Sequence, residues 1–462
     1  MKNLIFIFLV FPFLVKSQNI TVSSSSELIV AYKNAVPGNV IILENGKYDG
    51  KLVFEKNSGK RNLPITIKAS SGGKVEVHSK IQIKGDHINI EGLTFVENGS
   101  LVLLGKEIRV SYCKWDNSKS KKWLQILVGS SLIEIDHNTF QNKNYNSKYL
   151  KGCQLLQIVV SNKNERHHIH HNKFKKIKEG NGNGFETLQL ITKNNPFDPP
   201  PGACNTIIED NFFERANGEA EIISIKSNGN IIRRNVFKNC KGSLVLRHGD
   251  NNNVSSNFFF GSDENKSGGI RIQGSGHSIS NNFFQNLGSF GIGMMDGTTD
   301  DLYVRVSDVQ VLYNTFVNCY NTFQIGINHS KHPNGSTPMN CLVEGNIFFF
   351  DSAQNDSSFI KFVKDDQPVG WSWKNNISFG KINPKISGIN NLNPNFTYSK
   401  NGILLPSKNT PYSFNLYTDK KSLVEEDIFG RKRKKKKTLG AIQFYKSIQK
   451  EIINEEIFGA DH

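Results

Sequence analysis

The sequence predicts an all-β fold, a right-handed parallel β-helix with an N-terminal capping helix. Three observations indicate it: a repeated phrase of asparagine and an aromatic residue, a repeat length near that of one coil, and a Ser-rich amphipathic segment before the first strand. The chain has 462 residues, 37% of them hydrophobic and 21% charged, so an elongated stacked core is within its reach.

The repeat alternates apolar and polar residues, turns at an asparagine and then places an aromatic residue, as in IIEDNFF and NVSSNFF. Successive copies are separated by 34, 39, 24, 22, 25, 32, 32 and 30 residues. The repeated asparagines are Asn138, Asn172, Asn211, Asn235, Asn257, Asn282, Asn314, Asn346 and Asn376. The short steps suit one coil, the long steps suit coils with loops, and a β-propeller would need repeats of about 40 residues or more. Stacked coils predict a ladder of asparagine amides and an inner aromatic stack.

The two ends of the chain differ from the repeat. Residues 1–17 combine a basic start, a short apolar run and a small residue at Ser17, which predicts a signal peptide cleaved before Gln18. The run is too short to span a bilayer, so we expect a protein without a membrane span, exported to the periplasm or secreted. The segment SSSSELIVAYKN predicts the capping helix, followed by a turn at Pro37-Gly38. We assign 18–445 to one β-helix domain with the candidate catalytic residues, and 446–462 to a helical tail.

Charge and cysteine content narrow the class of partner. The formal net charge of +16 on an exported chain indicates an anionic partner, but not a nucleic acid. The run RKRKKKK at 431–437 is interpreted as a solvated basic loop in preference to a substrate-binding element. Of the six cysteines, Cys240 and Cys319 end apolar runs and are expected in the core, whereas Cys153 and Cys204 lie in polar sequence and are candidates for pairing.

The segment NGEAEIISIKS, residues 217–227, concentrates charge on a predicted strand. Glu219 and Glu221 point to one side, and two adjacent carboxylates suit an oxygen-loving cation such as Ca²⁺. Lys226 has the opposite parity, so a bend near 224–226 is needed to bring it to that side. Coil lengths predict that Lys226, Arg247 and Arg271 stack on neighbouring rungs and face an acidic polymer. The alternative is a solvent-exposed ladder of ion pairs.

These residues carry a family resemblance. The phrases NGEAEIISIKS, GSLVLRHGD, NFFFGS, SGGIRIQGSGH and DIFGRKRKKKKTLGAIQF resemble polysaccharide lyase family 6, the β-helical alginate lyases and chondroitinase B. The resemblance spans essentially the whole chain after residue 17, and GGIRIQG is more similar to the alginate-cleaving members. It implies a calcium-dependent lyase that cleaves a uronate polymer, alginate first, by β-elimination.

The resemblance also implies a role for individual residues. It assigns Lys226 as catalytic base and Arg247 as the proposed acid; Glu219, Glu221 and Asn183 as calcium ligands; and His248, Arg271 and Gln189 as substrate-binding positions. At Gln189 the alginate lyases have an arginine that is expected to hold a substrate carboxylate. Because a guanidinium hardly deprotonates, charge stabilisation is the better role for Arg247, and the proton donor stays open between water and another group such as His248.

Three other functions are compatible with parts of the sequence. A dermatan or chondroitin sulfate lyase fits the basic charge, and a non-catalytic β-helix that binds acidic polysaccharide fits the groove. A glycoside hydrolase would use Glu219 and Glu221 as its carboxylate pair, but Lys226 and Arg247 fit elimination better. Block preference, endo or exo action and oligomeric state are not encoded in any pattern of the sequence.

Overall fold

The computed structural model describes most of the chain. The described residues are 18–55, 57–145, 151–193, 199–261, 265–300, 302–327, 331–351, 359–364, 369–380, 386–399, 402–411, 424–434, 438–445 and 455–460. The predicted signal peptide lies outside them. Of the predicted helical tail only 455–460 is described, and Glu455–Ile457 forms one 3₁₀ turn there.

Three long parallel sheets contain nearly all the strands of the described residues. Sheet A consists of β1 (Asn19–Val22), β2 (Val40–Leu43), β5 (Ile65–Ala69), β8 (Ile88–Glu91), β11 (Ile108–Ser111), β14 (Glu134–Asp136), β17 (His168–His170), β20 (Ile207–Glu209), β23 (Ile231–Arg233), β26 (Asn253–Ser255), β29 (Ser278–Ser280), β32 (Gln310–Leu312), β35 (Leu342–Glu344) and β38 (Ser372–Lys374). Sheet B consists of β3 (Gly46–Tyr48), β6 (Val75–Val77), β9 (Thr94–Phe95), β12 (Lys114–Asp116), β15 (Thr139–Gln141), β18 (Lys173–Ile177), β21 (Phe212–Ala216), β24 (Val236–Lys238), β27 (Phe258–Phe260), β30 (Phe283–Gln285), β33 (Thr315–Val317), β36 (Ile347–Phe349), β39 (Asn376–Phe379) and β40 (Ile389–Asn391). Sheet C consists of β4 (Leu52–Glu55), β7 (Lys80–Lys84), β10 (Ser100–Leu104), β13 (Leu124–Ile126), β16 (Leu156–Val160), β19 (Leu188–Thr192), β22 (Glu221–Lys226), β25 (Gly242–His248), β28 (Ser267–Ile272), β31 (Phe290–Met295), β34 (Asn321–Ile327) and β37 (Ile360–Phe362). A separate antiparallel pair is formed by β41 (Phe396–Tyr398) and β42 (Leu404–Pro406).

The order of strands within each sheet confirms the predicted parallel β-helix. Along the middle of the chain each coil contributes one strand to each sheet, so that β20, β23 and β26 are consecutive neighbours in sheet A. A single coil cannot bury its inward-facing residues, but stacked coils can, because each covers the apolar side chains of the next.

The asparagine ladder and the aromatic stack are both present. All nine repeated asparagines are fully buried, and each of the first eight donates its side-chain amide to the Oδ1 atom of the next at 2.9–3.0 Å, from Asn138 to Asn376. Inside the coil, ring centroids stack 4.4–5.4 Å apart from Phe95 to Phe348. The ladder satisfies buried backbone groups at each turn, because the amide also donates to a carbonyl of the preceding coil.

Helix α1 (Ser25–Asn34) covers the first coils, as predicted. Ser24 is its N-cap and accepts a hydrogen bond from the Glu27 backbone N–H at 3.2 Å. Leu28, Ala31 and Tyr32 are its buried face. The helix thereby shields the edge of the stack. Among the described residues no helix is long and apolar enough to cross a membrane.

The C-terminal segment packs on the outer face of sheet B and corrects one prediction. Ile428 and Ile442 are buried there in one hydrophobic cluster with Phe258. Arg433, expected in a solvated loop, is buried and donates to Asn281 Oδ1 at 2.6 Å and to backbone carbonyls of the same segment. Its neighbour Arg431 binds the buried Asp427 at 2.6 Å. The solvated-loop interpretation is therefore wrong for Arg431 and Arg433, because their guanidinium groups donate hydrogen bonds to groups of the folded chain. Residues 435–437 lie outside the described residues.

The cysteine predictions have a mixed outcome. All six cysteines are free and buried, so the expected core placement of Cys240 and Cys319 is confirmed. The suggested pairing of Cys153 with Cys204 is wrong. Cys204 contacts Asn230 Oδ1 at 2.7 Å beneath the loop, whereas the thiol of Cys153 is directed at the Lys151 carbonyl. The polar residues that flank Cys153 and Cys204 gave no indication that both side chains point inward.

Candidate active site

Three carboxylates converge at one end of the strands of sheet C. Glu221 is the first residue of β22, Glu219 lies in the turn before it, and Glu186 lies two residues before β19. One oxygen from each lies within 4.8 Å of the others. The turn is fixed in part by the Gly184 backbone N–H, which donates to Glu219 Oε2 at 3.1 Å.

The electrostatics of this cluster favour a bound cation. Burial, together with the charges of Glu186 and Glu221, raises the pKa of the Glu219 carboxyl to about 9. The Oε2 atom of Glu221 is buried and accepts no hydrogen bond from the described residues. Clustered carboxylate oxygens are the donor set that Ca²⁺ prefers, so these residues fit a calcium ion.

A β-bulge in β22 changes the alternation of side chains between Glu221 and Lys226. Glu221 lies opposite Ser243 and Ile223 lies opposite Leu244, so Ile222 is the extra residue of β22, and the irregularity lies earlier than the bend predicted near 224–226. The Lys226 Nζ atom lies 3.6 Å from Glu186 Oε1, with 18% of the side chain exposed. The amine is therefore partly exposed to solvent and lies close to the carboxylates.

Arg247 and Arg271 also contact the carboxylate cluster, but the strands that carry them pair in a register different from the predicted one. Arg271 binds Glu221 Oε1, and the Arg247 Nε atom lies 3.7 Å from that same oxygen. Along the sheet, however, Arg271 lies opposite Val245 and Lys226 lies opposite His248. The expected stack of Lys226, Arg247 and Arg271 on one line is therefore wrong. Bulges displace the backbone, and the long side chains converge on one carboxylate instead.

Arg247 is held by Gln273 of the GGIRIQG phrase and by Tyr303, which lies outside the quoted phrases. Its Nη1 atom donates to Gln273 Oε1 at 2.9 Å, and its guanidinium stacks 4.3 Å from the ring centroid of Tyr303. Burial is the main cause that lowers the pKa of Arg247. Tyr303 was missed at the level of sequence, because it belongs to a loop after β31 with no motif of its own.

His248 is buried beside the cations. Burial and the neighbouring charges of Arg247 and Lys226 lower the pKa of His248 to about 3, so its imidazole is neutral near pH 7. Near pH 7, His248 is therefore a neutral hydrogen-bonding group.

Comparisons with known proteins identify the family of the chain. The family profile described as Chondroitinase B matches residues 22–409, which is most of the chain. The chain belongs to this family, polysaccharide lyase family 6. A comparison with curated proteins gave no significant match.

Solved structures of polysaccharide lyase family 6 share the fold. The alginate lyase AlyGC is 27% identical with a TM-score of 0.75, over 85% of this chain and 55% of that one. A mannuronic acid specific family 6 lyase from human gut microbiota is 26% identical with a TM-score of 0.63, over 78% and 86% of the two chains. Pedsa3628 from Pseudopedobacter saltans is 25% identical with a TM-score of 0.61, over 79% and 92%. The chain thus spans about half the length of AlyGC.

The roles predicted for two positions of this family 6 chain, Asn183 as a calcium ligand and Gln189 as a substrate contact, stay predictions. Asn183 is exposed, and the structure brings Glu186 of the same NGFET segment into the carboxylate cluster. Gln189 is buried, donates to Glu186 Oε1 at 2.7 Å and accepts from Gln157 at 2.7 Å. Its amide therefore orients a carboxylate of the cluster. The signal for Glu186 was present in the sequence, since it lies in the NGFET segment just before β19, the neighbour of β22 in sheet C.

Proposed function

We propose that this polysaccharide lyase family 6 chain is a calcium-dependent lyase that cleaves alginate by β-elimination. The observation that carries the proposal is the lysine amine of Lys226 beside three convergent carboxylates, with two arginines on the same cluster. Support for alginate comes from two relatives, one described as an alginate lyase and one as specific for mannuronic acid.

The proposed metal ligands are Glu186, Glu219 and Glu221. The chemistry that a bound calcium ion supplies is neutralisation of the substrate carboxylate, which makes the adjacent C5 proton more acidic. Glu186 is the best-oriented ligand, because amides of Gln189 and Gln154 hold its two oxygens at 2.7 Å and 2.9 Å. Such fixed partners keep a ligand set in place before the ion arrives.

Different residues of the chain have different roles in the reaction. Lys226, the partly exposed last residue of β22, takes the C5 proton as general base. Arg247 and Arg271 place fixed positive charge where the enolate-like intermediate develops negative charge. His248, neutral near pH 7, contributes hydrogen bonding and not an acidic proton, so the 4-linked leaving oxygen takes its proton from water.

The proposal includes export of the protein. Residues 1–17 have the pattern of a signal peptide, and an enzyme for a large anionic polymer needs access to that polymer outside the cytoplasm. N-terminal sequencing of the protein recovered from the periplasm or medium tests this: a start at Gln18 supports it, and retention of the full N-terminus in the cytoplasm contradicts it.

One assay separates the competing functions. The purified protein is incubated with alginate, polymannuronate, polyguluronate and dermatan sulfate, with calcium or with a chelator, and the ultraviolet absorbance of the unsaturated product is followed. Absorbance with the alginate polymers that disappears on chelation supports the proposal. Absorbance with dermatan sulfate alone assigns the other lyase activity. New reducing ends without absorbance indicate hydrolysis, and retention of polymer with neither signal indicates a binding protein.

A further inference from the structure

A second cluster of potential metal ligands lies on sheet A, on a different face of the coil from the carboxylates of sheet C. His168 and His170 are alternate residues of β17, so both project outward while Ile169 between them is buried. Glu134 on the adjacent β14 lies opposite His168. One donor atom from each of Glu134, His168 and His170 lies within 4.8 Å of the others.

We propose that Glu134, His168 and His170 form a binding site for a divalent transition-metal ion, with Zn²⁺ as the best-suited ion. Two imidazoles and one carboxylate form a donor set that zinc accepts readily, whereas calcium prefers oxygen donors alone. The two imidazole rings are already close, with centroids 4.0 Å apart. The site is unrelated to the proposed lyase chemistry and stands independently of it.

Neighbouring residues already orient these ligands. The second oxygen of Glu134 faces Arg109 at 3.9 Å, while its Oε1 atom lies 3.0 Å from His170 Nε2. His168 Nε2 lies 2.8 Å from Oε1 of Glu209, whose other oxygen is held by Arg233 at 2.5 Å. A ligating histidine whose other nitrogen bonds a carboxylate is the usual arrangement around protein-bound zinc.

The site is open to an ion from solution. The side chain of His168 is 38% exposed and that of Glu134 is 41% exposed, whereas His170 is only 12% exposed. An ion can therefore approach from the solvent side and contact His170, the least exposed of the three ligands. Because its ligands lie on β14 and β17, the ion would tie two successive coils together.

Zinc titration of the purified chain, carrying no histidine tag and kept in excess calcium, tests the proposal. We expect one saturable equivalent of Zn²⁺, at least about 10-fold weaker binding in His168→Gln and His170→Gln, and an unchanged affinity in Glu219→Gln, which alters only the carboxylate cluster of sheet C. The matched control is His78→Gln, because His78 pairs with Glu76 at 2.9 Å and is absent from both ligand clusters of the described residues. Cu²⁺ bound in place of Zn²⁺ should show electron paramagnetic resonance couplings from two imidazole nitrogens in the wild type and from one in His168→Gln.

Three results would overturn the inference: no saturable zinc binding, wild-type affinity in both histidine variants, or an equal loss in His78→Gln. Should either histidine variant fail to fold, Glu134→Gln keeps both imidazoles and removes the one anionic ligand. That variant must also bind zinc at least several-fold more weakly for the assignment to stand.

Discussion

The amine of Lys226, the last residue of β22, lies 3.6 Å from Oε1 of Glu186, which lies two residues before the neighbouring strand β19. Glu186 belongs at the same time to the carboxylate cluster, where Glu219 and Glu221 lie within 4.8 Å of it. The proposed base and the proposed metal ligands are therefore one electrostatic unit. Substitutions within this unit should be non-additive, since each changes the field that acts on the others.

Replacement of Lys226 by alanine should reduce turnover of alginate by about 10²–10⁴-fold, the usual contribution of a general base. Polymer binding should persist, because Arg247 and Arg271 remain. The measurement is initial rate from ultraviolet absorbance, with retention on immobilised alginate in parallel. Lys84→Ala, an exposed lysine of the same sheet that pairs with Glu55, is the control and should keep full activity. A fully active Lys226→Ala enzyme excludes the lysine from the mechanism.

Replacement of Glu219 by glutamine should weaken calcium binding by at least about 10-fold, because it removes one of three convergent carboxylate ligands. Calorimetric titration with CaCl₂ measures this directly, without reference to activity. Glu76→Gln makes the same chemical change at an exposed glutamate of sheet B and should leave the affinity unaltered. Equal calcium affinity in the wild type and Glu219→Gln would remove this residue from the ligand set.

Replacement of Tyr303 tests whether its ring positions Arg247. The guanidinium lies 4.3 Å from the ring centroid, and a partly desolvated cation–π contact contributes about 1–2 kcal/mol. Tyr303→Leu should therefore lower kcat/KM by about 10-fold, whereas Tyr303→Phe keeps the ring and most of the activity. The exposed Tyr320→Leu is the control. A loss in Tyr303→Phe as large as in Tyr303→Leu would show that the hydroxyl group, and not the ring face, is required.

Acid should destabilise the fold through buried histidines. Burial lowers the pKa of His167 from 6.5 to about 4, and its Nδ1 atom accepts a hydrogen bond from the Ile133 backbone N–H at 3.3 Å, which requires the neutral ring. Between these pH values the unfolded chain binds the extra proton, so stability falls as pH falls from about 6.5 to about 4. The full effect is on the order of 3 kcal/mol.

Urea unfolding at several pH values measures this effect. His167→Gln should show a shallower loss of stability in acid than the wild type, because its side chain does not titrate. The matched control is His78→Gln, at a partly exposed histidine that pairs with Glu76. Parallel pH profiles for the wild type and His167→Gln would contradict the assignment.

Replacement of Asn257 by alanine should lower the free energy of unfolding by about 2–4 kcal/mol, since several buried groups lose their partners. The side chain donates to Ile232 O and to Asn282 Oδ1 at 3.0 Å, and accepts from the Asn235 backbone at 3.0 Å. Thermal unfolding measures the change. The exposed Asn98→Ala should shift the midpoint little. A cost at Asn257 no larger than at Asn98 would mean that the ladder adds nothing to stability.

The fold was accessible from sequence because its information is local and repeated. Each coil contains its own turn asparagine and its own aromatic residue, so the period of Asn235, Asn257 and Asn282 predicts a stack without knowledge of distant contacts. The capping helix was predictable for the same reason, since the Ser24 cap and its buried face lie within one segment.

The site was only partly accessible. Glu219, Glu221 and Lys226 share one short segment, and the structure brings all three to the predicted cluster. Asn183 and Gln189 were recognised as positions of interest, but which residue between them turns into the carboxylate cluster depends on the path of the loop before β19. Arg433 was misjudged because a run of basic residues does not show which one is covered by the rest of the chain.

The sequence by itself determined the stack of coils, the amide ladder and the identity of the charged strand, because each follows from the order of residues within one repeat. Only the tertiary structure decided that Arg271 and Arg247 meet at Glu221, that Glu186 completes the carboxylate cluster and that Tyr303 supports Arg247. The physical reason is register. Bulges and loops of unequal length change which residues of successive coils lie side by side. Long side chains such as those of Arg247 and Arg271 can also contact residues of a neighbouring coil.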